Sequence, residues 1–228
     1  MTTPKTALLL IGSAKPAGES SSEALGAYLL ERLAALGIAT ETHHVAQALR
    51  TKTRTQELLQ AVDRADQFIL AFPLYVDGLP YLATAALERI AAHRQTQASP
   101  RPAAFLAIAN CGFPEAHHNA TALAICEQFA DAADFRWAGG LALGAGGAIH
   151  GQPLASAGGM VRNVVAALDL AAAALAAGEP VPHQVAERMA QPLMPDLAYI
   201  LMGDVGWLMT AQRNHVLTKL GAQPLRQR

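Results

Sequence analysis

Leu8-Leu9-Leu10-Ile11-Gly12-Ser13-Ala14-Lys15-Pro16-Ala17-Gly18-Glu19-Ser20-Ser21-Ser22 is the stretch on which the fold turns. An apolar strand end runs into a loop of glycines and serines. Beyond it, over residues 23–36, apolar positions recur at helical spacing until Gly37 provides a stop. A helix N-terminus presents unpaired N–H groups and partial positive charge, so a strand–loop–helix unit of this kind attracts a phosphate. Ser13, Ser20, Ser21 and Ser22 add hydroxyls, and Gly12 and Gly18 let the backbone curl close to a ligand. Other nucleotide motifs fit less well. Five residues separate Gly12 from Gly18, and Glu19 stands where a P-loop needs lysine. No G-x-G-x-x-G opens the helix, and the later Gly144-Ala145-Gly146 has Ile149 at the third glycine position. Ser20-Ser21-Ser22-Glu23 also contains a capping box, so helix capping without a ligand accounts for part of the serine run.

Working outward, residues 38–45 read as a second strand, with His43 and His44 near its end. The polar residues 51–55 introduce a helix over about 56–64. The continuous apolar run at 67–72 suits a strand buried on both faces. A helix follows at 81–93. Pro100 and Pro102 bracket a turn before strand four at 103–109. Asn119 is the expected N-cap of a helix reaching Ala130, and strand five falls within 137–143, its limits blurred by the glycine-rich 139–151. A long Ala/Leu-rich helix at 159–177 ends at Gly178-Glu179-Pro180. Five strands alternating with five helices imply an α/β doubly wound parallel sheet with right-handed crossovers. Residues 1–178 form that domain. Residues 179–228 form a C-terminal helical extension of one or two helices broken around Pro192 and Pro195.

In such a sheet ligands sit in the crevice outside the carboxyl ends of the strands. Two more strand ends enter suggestive loops. Strand three enters Pro73-Leu74-Tyr75-Val76-Asp77-Gly78-Leu79-Pro80, and strand four enters Asn110-Cys111-Gly112-Phe113-Pro114. A flat redox ring needs an apolar or aromatic wall, plus backbone donors where negative charge grows on reduction. Tyr75 supplies a wall, Gly78 allows close backbone approach, and Asn110, Cys111 and Gly112 offer N–H groups. Phe113 and Pro114 close the far side. The alternatives stay open: Tyr75 as a half-buried aromatic, and Asp77-Gly78 as an ordinary turn. Cys111 reads better as a small buried hydrophobe than as a reactive thiol. His117 and His118, beside Glu115, invite a metal, but adjacent histidines point apart on most backbones, so a solvated loop is expected and no metal is assigned. His43 and His44 receive the same reading. His150, beside the glycine-rich loop, is a candidate to face a cofactor or nicotinamide.

Composition bounds the rest. The chain has 228 residues, 52% of them apolar and 15% charged, enough for one sizeable α/β domain with an appendage. A formal net charge of −1 gives no reason to expect nucleic acid or an anionic membrane as partner. It also differs from the acidic balance of an electron shuttle that docks by charge. With only Cys111 and Cys126, a disulfide framework is not expected and a cluster needing four thiolates from this chain is excluded. The apolar residues 7–11 are too short for a secretory signal, and residues 197–209, interrupted by Asp204, fall short of the roughly 20 needed to span a bilayer. No stable membrane insertion is expected, and the cytoplasm is the default location. Basic residues in the tail are sparse until Arg213, Lys219, Arg226 and Arg228.

Together these residues resemble the flavodoxin-like family of NAD(P)H-dependent FMN reductases over about residues 5–177. The resemblance rests on Gly12-Ser13 with Lys15 and the downstream Ser20 to Ser22, on Pro73-Leu74-Tyr75 with Pro80, and on Asn110-Cys111-Gly112-Phe113. It implies a five-stranded flavodoxin-like sheet of order 2-1-3-4-5 and noncovalently bound FMN. The phosphate would lie on Ser13, Lys15 and Ser20 to Ser22, and the ring between the loops holding Pro73, Leu74, Tyr75, Val76, Asp77, Gly78 and Asn110 to Phe113. It further implies NAD(P)H as cosubstrate, a small acceptor such as a quinone, flavin, azo or nitro compound, and a homo-oligomer, a homodimer foremost. No catalytic side chain is assigned, because the flavin carries the chemistry. Ala14 stands where members often have proline, and Tyr81-Leu82-Ala83-Thr84 replaces the common Gly-x-Leu-Lys after Pro80. The same fold also serves nonenzymatic FMN carriers or sensors, or a flavin-free scaffold.

Overall fold

The computed structural model describes residues 5–98 and 100–223. Arg226 and Arg228 lie outside the described residues. Two compact units divide the chain, one ending at Leu193 and the other running from Met194 onward.

The first unit is a five-stranded parallel sheet of order β2-β1-β3-β4-β5. Its strands are β1 (Thr6–Ile11), β2 (Ala39–His44), β3 (Gln67–Pro73), β4 (Ala104–Asn110) and β5 (Arg136–Leu143). Helices α1 (Ser21–Ala35), α2 (Val45–Ala48), α3 (Lys52–Arg64), α4 (Tyr81–Gln95), α5 (Ala120–Ala132), α6 (Arg162–Ala177) and α7 (His183–Met189) connect or follow them. The three central strands are buried on both faces, so their side chains alternate between two cores. Ile69 and Ala71 join Leu9, Leu25, Leu29 and Leu168 on the α1/α6 side. Phe68, Leu70 and Phe72 join Leu58, Ile90 and Phe105 on the other, where Phe68, Phe105, Phe129 and Phe135 form an aromatic cluster. Gly26 lets α1 lie close on the sheet, since a Cβ there would meet the Leu9 methyls at 2.7 and 2.8 Å.

Several boundaries differ from expectation for identifiable reasons. The Thr51 hydroxyl accepts the Arg54 N–H and caps α3, so the polar residues 52–55 are already helical rather than a lead-in. The short α2, not foreseen, turns the chain out of β2 and seats Val45 and Ala48 in the core. Asn119 does not cap α5. It ends a 3-10 turn (Ala116–Asn119) in helical geometry, fully buried, and its amide donates to the Ala116 and Leu143 carbonyls. A long-range carbonyl outcompetes the local cap. Gly178 stops α6 as read, in left-handed geometry at φ 83°, with the Glu179 N–H closing back on the Ala174 carbonyl.

The chain beyond Gly178 does not leave the first unit at once. The Val181 N–H donates to the Ala138 carbonyl of β5, and Val185 and Met189 of α7 are buried in the α1/α6 core. Among the described residues, one segment, Gly158–Ala177, is long and apolar enough to cross a membrane by length and composition. Its Val164, Leu168, Ala171 and Leu175 instead pack in the core. The second unit consists of α8 (Asp196–Arg213) and a return through a 3-10 turn (Leu217–Lys219).

Candidate functional site

The register places the three singled-out loops side by side. Ile11 pairs with Ala71, Ala71 with Ile108, and Pro73 with Asn110. The loops leaving β1, β3 and β4 therefore emerge on neighbouring strands at one end of the sheet, where ligands of open α/β sheets sit.

The first loop is held by its own polar groups. Gly12 N–H donates to the Ala71 carbonyl, Lys15 N–H to the Ser13 hydroxyl (3.2 Å) and Glu19 N–H to the Pro16 carbonyl. Ser20 caps α1 by accepting the Glu23 N–H at 3.0 Å. The Glu23 carboxylate does not close the box on Ser20. It accepts the Gly18 N–H at 2.6 Å, with Gly18 in left-handed geometry at φ 82°. The Ser21 hydroxyl donates to the Gly146 carbonyl at 2.6 Å, and the buried Ser22 hydroxyl accepts from the Asn110 side-chain amide at 2.8 Å. All three serine hydroxyls thus have protein partners, and replacing them together would disturb the fold as well as any ligand. Among the described residues, the backbone N–H groups of Ser13, Ala14, Ala17, Ser20, Ser21 and Ser22 have none. Those amides, at a loop and helix N-terminus, are the natural seat for a phosphate. Lys15 and Glu19 are exposed and form no ion pair with each other among the described residues.

The second loop is a two-residue turn. Tyr75 and Gly78 exchange both N–H···O bonds, at 3.0 and 3.1 Å, around Val76 and Asp77, whose φ angles are 49° and 60°. A β-branched residue in left-handed geometry is strained, and Val76 at the tip is fully exposed. Tyr75 is 48% exposed, so it stands out from the rim as a wall rather than sinking into the core. The Leu74 N–H ties this loop to the Asn110 carbonyl.

The third loop hangs on Asn110. Its buried amide donates to Ser22 and to the Phe72 carbonyl (3.1 Å), joining all three loops through one side chain. The Cys111 N–H is spent on the Leu143 carbonyl, so it is not a donor toward the rim as the sequence reading had it. The Cys111 thiol is buried, facing the Phe113 and Glu115 carbonyls, and burial pushes its pKa up. Phe113 is 54% exposed, and its ring lies tilted against His118, which stacks on His117, with centroids 4.4 Å apart at each step. The two histidines therefore do not diverge as expected of neighbours. No metal-binding group of three or more His, Cys, Asp or Glu exists among the described residues. His43 pairs with Glu41 at 2.7 Å, and His150 caps a 3-10 turn (Gly146–Ile149) in left-handed geometry.

What the sequence reading missed is a fourth segment, the loop after β5. Its glycines seat the other loops: a Cβ on Gly144 would overlap the Pro114 carbonyl oxygen, one on Gly146 would lie 2.7 Å from Asn110 Oδ1, and one on Gly151 would lie 2.6 Å from the Glu19 carbonyl carbon. The run Gly144-Ala145-Gly146-Gly147 was the available signal.

The residues present fit a flavin mononucleotide: open amides for its phosphate and two loops presenting aromatic and backbone groups beside them. Sheet order and rim define a flavodoxin-like protein. The family model of the NADPH-dependent FMN reductases matches residues 6–134, and the chain belongs to that family. No curated protein matches the chain. Among solved structures, similar folds include an FMN-dependent NADH-azoreductase from Bacillus anthracis in complex with FMN, with TM-score 0.51 and 13% identity over 76% of this chain and 100% of that one. Rubredoxin oxygen:oxidoreductase from Desulfovibrio gigas has TM-score 0.51 at 11% identity over 83% of this chain and 38% of the other. A flavone reductase has TM-score 0.50 at 12% identity, covering 72% and 62%. Flavin-dependent oxidoreduction is the general chemistry of the family.

Proposed function

We propose that the protein holds FMN noncovalently on the three-loop rim and passes reducing equivalents from NAD(P)H to a small acceptor such as a quinone, flavin, azo or nitro compound. The observation that carries this reading is the set of unpartnered amides from Ser13 to Ser22 inside the family-matched segment. When bound, the flavin supplies the electron transfer, so no side chain need act as acid or base. The chain's part is to bind and orient. Backbone N–H groups and the Ser13 and Lys15 region take the phosphate, residues 73–78 wall the ring, and Asn110 to Phe113 line its other side. The cytoplasm is the proposed setting, supported by two free thiols.

A flavin-free scaffold is the second reading, favoured by the protein partners of Ser20, Ser21 and Ser22. The visible spectrum of the purified protein, then identification of any chromophore released on denaturation, decides between them. The expected result is released FMN, and NAD(P)H oxidation that depends on an added quinone. Flavin binding without turnover would mean a carrier, and a colourless protein that ignores added FMN would mean a scaffold.

A second copy of the chain is the proposed protein partner, joined through α8. Leu201, Val205 and Leu208 are exposed and follow the four-then-three spacing of a helix–helix seam, with the exposed Leu197 one turn before them. Light scattering should show a dimer for the full chain and a monomer for a chain ending at Leu193. An unchanged dimer would rule α8 out as the interface.

A further inference from the structure

We propose that the Phe113–His118–His117 stack is a docking platform for the planar aromatic acceptor. The word acceptor rests on the reductase reading above; the platform itself rests on geometry. Three rings follow one another, Phe113 tilted against His118 at 4.4 Å and 36°, His118 stacked on His117 at 4.4 Å and 29°. Close contact at these inclinations makes a continuous aromatic surface that a planar ligand can extend.

The backbone beneath the rings is fixed. Ala145 N–H donates to the Phe113 carbonyl at 2.6 Å, Gly146 N–H to the Cys111 carbonyl at 2.8 Å, and Cys111 N–H to Leu143 at 3.0 Å. Gly144 is in direct contact with the Pro114 backbone. The loop backbone is therefore held in place, and Phe113 is 54% exposed on it. A site built this way loses little freedom when a ligand stacks on it.

The imidazoles add direction. Among the described residues, no ring nitrogen of His117 makes a hydrogen bond or ion pair, while His118 Nε2 faces the Glu115 carboxylate at 3.6 Å. The His117 nitrogens remain open to the carbonyl oxygens of a quinone or the nitrogens of an azo bond. A nonaromatic acceptor, such as a ferric complex, gains nothing from such a surface. The nicotinamide of NAD(P)H is also planar, so the two ligands must be separated by experiment.

The test uses the full chain and anthraquinone-2-sulfonate as probe, with binding followed through the imidazole proton resonances and by calorimetry. Phe113→Leu and His118→Leu should each weaken the probe by about tenfold, the scale of one lost ring contact, while Phe113→Tyr retains affinity. NADP+ affinity and FMN absorbance should not change in His118→Leu. In turnover of His118→Leu, KM for menadione should rise and rates with ferric citrate should stay constant. Unchanged probe affinity in both leucine variants, or a loss confined to NADP+, would overturn the platform. Probe binding by a wild-type protein that takes no FMN would instead remove the reductase reading and leave the platform standing.

Discussion

Gly144→Ala should cost about 3 kcal/mol of stability, at the upper end of what overpacking does in a tight interior. The reason is what the new methyl would strike. It would overlap the Pro114 carbonyl oxygen and lie 2.6 Å from its carbon and 3.0 Å from the Ala116 nitrogen. All are backbone atoms, so no side chain can rotate aside; the third loop, or the end of β5, must shift. Urea denaturation at constant m-value measures the loss. Gly147→Ala is the control, because nothing lies within 4 Å of a Cβ there and its φ is not left-handed, so its midpoint should stay within about 0.5 kcal/mol. Equal stability of the two variants would mean that Gly144 does not seat the third loop. FMN retention should fall with Gly144→Ala, since Cys111 and Phe113 take their positions from the same contact.

Asn110→Ala should be comparably severe, about 3 kcal/mol. The substitution removes a buried donor shared by the Ser22 hydroxyl and the Phe72 carbonyl. Each group left without a partner costs roughly 1–3 kcal/mol. Ser22→Ala breaks only one of the two bonds and should cost less. Because the two side chains share that bond, the double variant should be less destabilised than the sum of the singles by about 1 kcal/mol. Strict additivity in the cycle would show that the Asn110–Ser22 bond contributes nothing. The functional consequence is specific. Ser22 belongs to the start of α1 and Phe72 to the end of β3, so losing Asn110 loosens the first loop from the second and third. FMN should dissociate faster even where the remaining protein is folded.

The parts of this fold legible in sequence are those set by local chemistry. The unbroken apolar runs of β3 and β4 leave no polar face, and Gly178 stops α6 because only a left-handed residue closes that helix end. The same reasoning fails wherever a distant partner decides. Ser20 reads equally well as a cap and as a phosphate ligand. It is a cap, and its box is left open because the Gly18 amide claims Glu23. Asn119 has every local mark of a cap, yet Leu143, from β5, takes its amide. Gly144, Gly146 and Gly151 owe their identity to Pro114, Asn110 and Glu19, contacts that no window of neighbouring residues reveals. Thr51 is the lesser case: a capping threonine was visible, and the polar residues after it concealed that the helix had begun.

Helix α7 sets a practical limit on how small a working piece of this protein can be. Cutting after Gly178, where the α/β alternation stops, would strip the Val181 amide from Ala138 and pull Val185 and Met189 out of the interior, leaving a greasy scar along the last strand. A fragment ending at Leu193 retains these contacts, and expression trials or fusions that respect that point keep the hydrophobic floor beneath β5 sealed.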